Sequence, residues 1–302
     1  MHRSRRCTGT TWNWPDTEHH TWFANTARVG HNSAPVSTAP LHQARPDQKT
    51  VLYEYPLNER IRTFMRLEYL FRQAGHHLNG KSVWDSRATL NCILEIIDIF
   101  GNTNLKSEVI KELDRHASNL KRLQQNPDVD AAQLESLTEV INTRIDGMHQ
   151  ISGQIASELK TSEFLISIRQ RSAIPGGTCD FDLPSLHFWL QQPVRNRTRD
   201  LGGWLDNFDA IGQAIQLVLS LTRDSTPLKP AQAEGGVYQQ TLDPNLPCQL
   251  VRIELPSTQP CFAELSGGRH RFTARFMEFS TAEDRARQTD QDVGFELACC
   301  VI

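Results

Sequence analysis

Three arginines, Arg269, Arg271 and Arg275, punctuate the run GGRHRFTARF at residues 267–276, with Phe272, Ala274 and Phe276 set between them. Alternation of this kind after a Gly-Gly pair reads as a β-strand, whose successive side chains point to opposite faces. One face would be guanidinium and the other apolar. Guanidinium forks on alternate residues stand about 7 Å apart and can grip successive carboxylates of an extended or helical peptide. A hairpin closed by Ser266-Gly267-Gly268 is expected to bring Glu264 near Arg271, where an exposed pair would contribute only about 0.2–1 kcal/mol.

Single-stranded nucleic acid is the alternative ligand for such a strand. Sheet-type RNA readers need aromatics and positive charge on one face, so that bases stack while phosphates are held. Here the alternation turns Phe272 and Phe276 away from Arg271 and Arg275, which favours a carboxylate ligand.

Other groupings carry less chemistry. Cys179 and His187 are a nucleophile and a base by type, yet no third group at a recognisable spacing orients them. IPGGTCDFD is glycine-rich but lacks the G-x-x-x-x-G-K-[ST] pattern of a phosphate loop. His19-His20 and His76-His77 are adjacent pairs without metal-ligand spacing. No catalytic residue, metal or cofactor is therefore expected. The terminal CCVI has the form of a prenylation box and is read as chance.

The elements that must carry these residues follow from periodicity. Asn58 caps a helix with Ile61, Phe64, Met65, Leu67, Leu70 and Phe71 inward. A more apolar helix starts at Asp85 or Ser86 and stops at Gly101. Val109, Leu113, His116, Leu120 and Leu123 form one narrow stripe. Leu134, Leu137, Ile141, Ile145 and Met148 form a second, behind a start at Asp130. Two such helices joined by the short NPDVD turn should lie antiparallel, packed on their own domain or offered to a partner subunit. Helices around SEFLISIRQR, PSLHFWLQ and DNFDAIGQAIQLVLSLTR follow, and Pro227, Pro230, Gly235 and Gly236 mark a linker. Beyond it the period becomes two, in GVYQQTL, QLVRIELP, CFAELS, RHRFTARFMEF and VGFELACC.

The fold class is thus α+β, a mainly helical domain with a long antiparallel hairpin followed by a small antiparallel β-sheet domain. Three segments are expected: a disordered extension over 1–50, a helical domain over 51–232 that carries the dimer interface, and a β domain over 233–302. The extension contains Trp12, Trp14 and Trp22 and has no periodicity; it reads as a non-functional tail, a linear binding motif, or an over-extended start site.

With 302 residues, the chain can bury a substantial core without staples. A formal net charge of -3 argues against bulk polyanion binding, so any anion site must be local. Seven cysteines, odd in number and without C-x-x-C, suggest reduced thiols in the cytoplasm. No run of about 18 apolar residues offers a membrane span.

The stretches VLYEYPLNERIRTFMRLEYLF, KELDRHASNLKRL, RQRSAIPGGTCDFDLPSLHFWL, RFTARFM and FELACC together resemble the ZapD family of bacterial cell-division proteins, in order from about residue 51 to Cys300. The resemblance implies a non-enzymatic symmetric dimer, assembled through helices and recruited to the midcell septum, that binds the acidic, partly apolar C-terminal tail of FtsZ and bundles its filaments. It assigns Arg271 and Arg275 to the basic strand, Arg66 in RLE to the first-helix arginine, and His187 to the histidine of LPSLH. In DIFGNTN, Asn102 stands where the family pattern has a basic residue, with Lys106 four positions on.

Overall fold

A computed structural model describes residues 49–102, 104–124, 130–151, 153–279, 281 and 283–301. The expected extension with Trp12, Trp14 and Trp22 lies outside the described residues, apart from its last two, as does the side chain of Asn102. In chain order the elements are β1 (Thr50–Pro56), α1 (Glu59–Leu78), α2 (Val83–Asn102), α3 (Leu105–Leu123) and α4 (Ala131–Gln150). Then come α5 (Ser157–Thr161), α6 (Glu163–Ser172), α7 (Pro184–Leu190), α8 (Val194–Leu205) and α9 (Asp209–Asp224), the last preceded by a 3₁₀ turn at Asp206–Phe208. The chain closes with β2 (Lys229–Ala233), β3 (Val237–Thr241), β4 (Cys248–Pro256), β5 (Cys261–Gly268), β6 (Arg271–Glu278), β7 (Arg287–Gln288) and β8 (Val293–Val301). This is the α+β class the periodicities predict. Contacts divide the described chain into a helical unit (63–114 and 138–217) and a unit containing the strands (49–62, 115–137 and 218–301).

Helix starts obey local chemistry. The Asn58 side chain accepts from the Ile61 amide at 3.0 Å, opening α1 as expected. For α2 the cap is Ser82, not Asp85 or Ser86. The Ser82 hydroxyl accepts from the Asp85 amide at 3.0 Å, and the Asp85 carboxylate accepts from the Ser82 amide at 3.0 Å. This is a reciprocal box in which two orphan donors satisfy each other. The Ser82 hydrogen bonds, followed by His77, hold the Asp85 carboxyl below its ordinary range. Asp130 opens α4 by accepting from the amides of Ala132 and Gln133 at 3.0 and 3.2 Å.

Within the helical unit, Phe64, Leu67 and Phe71 of α1 are wholly buried. Phe208 packs between Phe71 and Phe100, with ring centroids 6.3 and 5.2 Å away. Both narrow stripes are largely consumed inside the chain: Val109, Leu113, Leu120, Leu134, Leu137, Ile141 and Met148 are buried, while Leu123 is exposed. The packing alternative therefore accounts for them. Arg197 of α8 is 5% exposed, and its hydrogen bonds among the described residues all go to neutral groups. It donates to the carbonyls of Leu190, Gln192 and Lys81 at 2.8, 2.8 and 3.1 Å and to the Ser86 hydroxyl at 3.0 Å. One guanidinium thus ties α8 to the end of α7 and the start of α2, using the fixed fork of five donors that only arginine has.

The strands form two antiparallel sheets, ordered β1-β4-β8-β2 and β3-β6-β5, with β7 against β6. Two of these strands correct the expectations from sequence. Residues 50–56 are an edge strand in register with β4, Tyr53 opposite Ile253, rather than a lead-in to the first helix. The expected linker around Pro230 is β2, paired with β8; its place at the sheet edge is where a residue without an N–H is tolerated. The sheets share a core of Val251, Ile253 and Leu255 from β4, Phe295 and Leu297 from β8, and Phe272, Ala274 and Phe276 from β6. The rings of Phe276 and Phe295 meet at 5.0 Å. Strand β8 buries residues on both faces, Val293, Phe295 and Leu297 on one and Ala298 and Cys300 on the other. On that other side, Glu54 of β1 takes a bidentate contact from Arg223 at 2.9 and 2.8 Å, and Arg252 lies 3.2 Å away.

Two stability measurements check this account. Arg197→Met should lower the free energy of unfolding by at least about 2 kcal/mol, because buried carbonyls lose their donor, and Arg197→Lys should recover less than half of it in chemical denaturation. His116, buried in the α3 stripe, has its pKa pushed down to about 3 by desolvation and then by the Arg115 charge. Its folded value lies below its unfolded one, so its contribution is complete above about pH 6.5 and drains as pH falls toward 3. His116→Leu should remove up to about 1.4 kcal/mol per pH unit of the stability slope between pH 6 and 5.

Candidate functional site

Strand β6 has the two faces its alternation predicts. Phe272, Ala274 and Phe276 are 0% exposed, whereas Arg271 and Arg275 are exposed. Burying each phenyl ring is worth roughly 1.5–3 kcal/mol, so the arginine face is held outward by the ring face. The turn differs from the expected one. Gly267 and Gly268 belong to β5, opposite Phe272 and Arg271, and the reversal falls on Arg269 and His270. Gly267 is needed for close approach: a Cβ there would stand 2.6 Å from the Phe272 Cα.

This register moves two predicted neighbours. Glu264 is opposite Arg275, not Arg271, and Arg271 lies between Thr241 and Gly268. Arg269 sits in the turn rather than on the strand face. Arg271 and Arg275 are four residues apart, which is about 13 Å of strand rather than the 7 Å of alternate positions. Neither makes an ion pair or side-chain hydrogen bond among the described residues, and the same holds for Arg66 and Arg269. Unpaired guanidinium is thus exposed on this strand.

Residues in register extend the face sideways, because antiparallel partners project to the same side. Thr273 lies between Gln239 and Ser266, and Met277 lies opposite Phe262. Phe262 and Met277 are half-buried, and the Phe262 ring packs 5.6 Å from that of the exposed Phe279. The arginine face therefore runs from a polar centre into an apolar end, a feature the sequence reading missed because it depends on which residues β5 brings alongside. Phe262 also qualifies the argument against nucleic acid, since one aromatic does share the arginine side. The surface between the two arginines is nevertheless Thr273, Gln239 and Ser266, without the stacked aromatics of an RNA-reading sheet.

Arg66 and His187 belong to the helical unit. Arg66 is exposed on α1, on the side opposite Phe64 and Leu67. His187 is engaged: its Nδ1 lies 3.0 Å from Asp180. Cys179 turns its thiol to Asp182 at 3.4 Å, so these two side chains have separate carboxylate partners and form no nucleophile–base pair. Lys106, in the first turn of α3, donates to the Ile151 carbonyl just past the end of α4 at 2.7 Å. Among the described residues no group of three His, Cys, Asp or Glu could hold a metal ion, and no helix is long and apolar enough to cross a membrane.

Residues 65–275 match the family model described as ZapD, cell division protein. The chain is 42% identical over 252 residues to a cell division protein ZapD of Methylococcus capsulatus, covering 83% of this chain and 98% of that one. It is 34% identical over 253 residues to a ZapD of Aromatoleum aromaticum and 32% identical over 254 residues to one of Coxiella burnetii, each at 84% of this chain and 98% of the relative. Matches of this extent leave no large part of the described fold outside the relationship, and the chain belongs to the ZapD family of cell division proteins.

Proposed function

We propose that the arginine face of β6 binds the acidic, partly apolar C-terminal tail of FtsZ, and that the protein, acting as a homodimer, crosslinks and bundles FtsZ filaments. In this reading it is not an enzyme, works in the cytoplasm and is recruited to the septum at midcell. The observation that carries the reading is the pair of exposed guanidiniums, Arg271 and Arg275, without an ion pair among the described residues on a strand whose alternate residues are fully buried. Tail carboxylates take the forks by charge-assisted hydrogen bonds, and tail apolar side chains take the surface of Phe262, Met277 and Phe279. The spacing of about 13 Å suits carboxylates some four residues apart in an extended peptide. Arg66 and His187 in the helical unit are assigned to the same partner on the family pattern, and Arg269 at the turn is added to it for its charge.

A single exposed contact of this kind is weak, of order 1 kcal/mol or less. Two sites on one dimer, facing tails repeated along filaments, raise avidity by about 10²–10⁴ without any new contact. That multiplication is what lets a modest surface bundle.

Arg271→Glu and Arg275→Glu should each abolish co-sedimentation with FtsZ filaments while the circular dichroism spectrum and melting temperature stay at wild-type values. Bundling by both variants at wild-type level would remove this strand from the mechanism. Filaments lacking the tail should not be bundled by the wild-type protein. Retention of a labelled single-stranded oligonucleotide that is lost in Phe262→Ala would favour the nucleic-acid alternative.

A further inference from the structure

The unit containing the strands holds a pair of cysteines that the arginine face does not use. Cys248 opens β4 and Cys299 lies near the end of β8, and both are free thiols. The two strands keep register except between Cys248 and Leu250, where Gln249 is an extra residue. A bulge of this kind shifts the pleat by one position. Cys248 thereby joins Val251, Ile253 and Leu255 in the core between the sheets, and Cys299, opposite Val251, packs against the same core. Cys300 turns the other way, its thiol 3.8 Å from the Arg223 carbonyl. The bulge is held from outside, since the Gln249 carbonyl accepts from the Leu57 amide at 2.9 Å and its side chain accepts from Asn58 at 2.8 Å. Cys248 stands opposite Val301, which makes Cys299 its diagonal neighbour. Diagonal Cα atoms on a regular ladder are about 7–8 Å apart, at the limit of what a disulfide spans. Here the added twist of the bulge acts on that spot, and the two thiols are hydrogen-bonded to each other.

The two sulfurs are unequal in the way a reacting thiol and its resolving partner must be. Cys248 is 7% exposed, whereas Cys299 is half-buried. Their shared hydrogen bond holds the Cys299 thiol below its ordinary range against the effect of burial, while that bond and then burial push Cys248 up. The Cys299 thiol lies 3.9 Å from the Gln240 side-chain oxygen, which also accepts from the Tyr238 hydroxyl at 3.0 Å. Cys299 can therefore turn away without orphaning that oxygen. By contrast, burial pushes the Cys92 thiol up to about 11, and Cys261 is raised by burial and then by Glu278. We propose that Cys248 and Cys299 form a peroxide-reactive dithiol that closes to a disulfide between β4 and β8. The Cys299 thiolate attacks one oxygen of hydrogen peroxide, the O–O bond breaks, and the departing hydroxide takes up the thiol proton as water. The Cys248 sulfur then attacks the sulfenic acid: the S–S bond forms, the S–O bond breaks, and the oxygen leaves with the Cys248 proton as a second water. Two thiols lose two electrons and the peroxide gains them. The loop so closed runs from residue 248 to residue 299 and carries β5, β6 and β7, so the bond restrains the unfolded chain across the hairpin that bears Arg271 and Arg275. It forms on the core side, away from those guanidiniums.

Treating the full, reduced chain with stoichiometric hydrogen peroxide tests the pair. The intact mass should fall by two hydrogens, and peptide mapping should join Cys248 to Cys299. The oxidised chain should melt several degrees higher than the reduced one, with the gain lost on reduction. Cys300→Ser should keep the bond. Cys248→Ser should stop at a sulfenic acid on Cys299, trapped by a cyclic 1,3-diketone and formed about 10-fold or more faster than any on Cys92. An unchanged mass, a bond that uses Cys300 in place of either thiol, or a link between chains would each overturn the proposal, as would a Cys299 that reacts no faster than Cys92. Mass and linkage are read on the unmodified protein, so they decide the matter even where a variant fails to fold.

Discussion

The pleat of β6 is the constraint from which the exposed arginine face follows. Phe272, Ala274 and Phe276 are locked into the core shared by the two sheets, so every odd-numbered residue of the strand must face the other way. A slip of one residue would carry the rings into water and the guanidiniums into the core, at a cost far above that of any surface contact. The β5–β6 register is tightened further at Gly267, where the backbones approach too closely for any side chain. Interior packing therefore sets the position and spacing of Arg271 and Arg275, even though neither takes part in it.

Arginine does three separate jobs in this chain, and partners distinguish them. Arg197 is buried and satisfied by carbonyls and a hydroxyl, acting as a tie between helices. Arg223 and Arg252 converge on Glu54 and join the edge strand β1 to its neighbours on the second face of the sheet. Arg271 and Arg275 have neither kind of partner among the described residues. Net charge reports none of this, because the chain as a whole is slightly acidic. What matters is which guanidiniums the fold has already occupied.

Much of this was legible in the residues. Period two over RFTARF fixed both the strand and the side on which each residue falls, and period 3.6 found most of the buried residues of α1, α3 and α4. The failures have physical causes. Ser266-Gly267-Gly268 has turn-like composition, but glycine also permits close strand approach, and only the packing of Phe272 shows which use prevails. That error displaced Glu264 from Arg271 to Arg275 and put Arg269 in the turn. TVLYEYP runs straight into a capped helix, so its seven residues were absorbed into the helical reading, and its true partner lies some two hundred residues away in β4. The apolar end of the arginine face was invisible for the same reason, since Phe262 and Met277 become neighbours only through register. Arg197 gave no signal at all, because nothing local marks an arginine that will be buried against carbonyls.

The clamp on Glu54 has an outcome for how the molecule responds to its medium. Its three side chains are only 12–18% exposed, so mobile ions, which damp exposed charges beyond about 8 Å at physiological strength, scarcely reach it. The guanidiniums on β6 stand fully within reach of those ions. Rising ionic strength would thus loosen the proposed hold of these guanidiniums on the FtsZ tail well before it troubles the architecture, so that release of the tail need not unfold the protein.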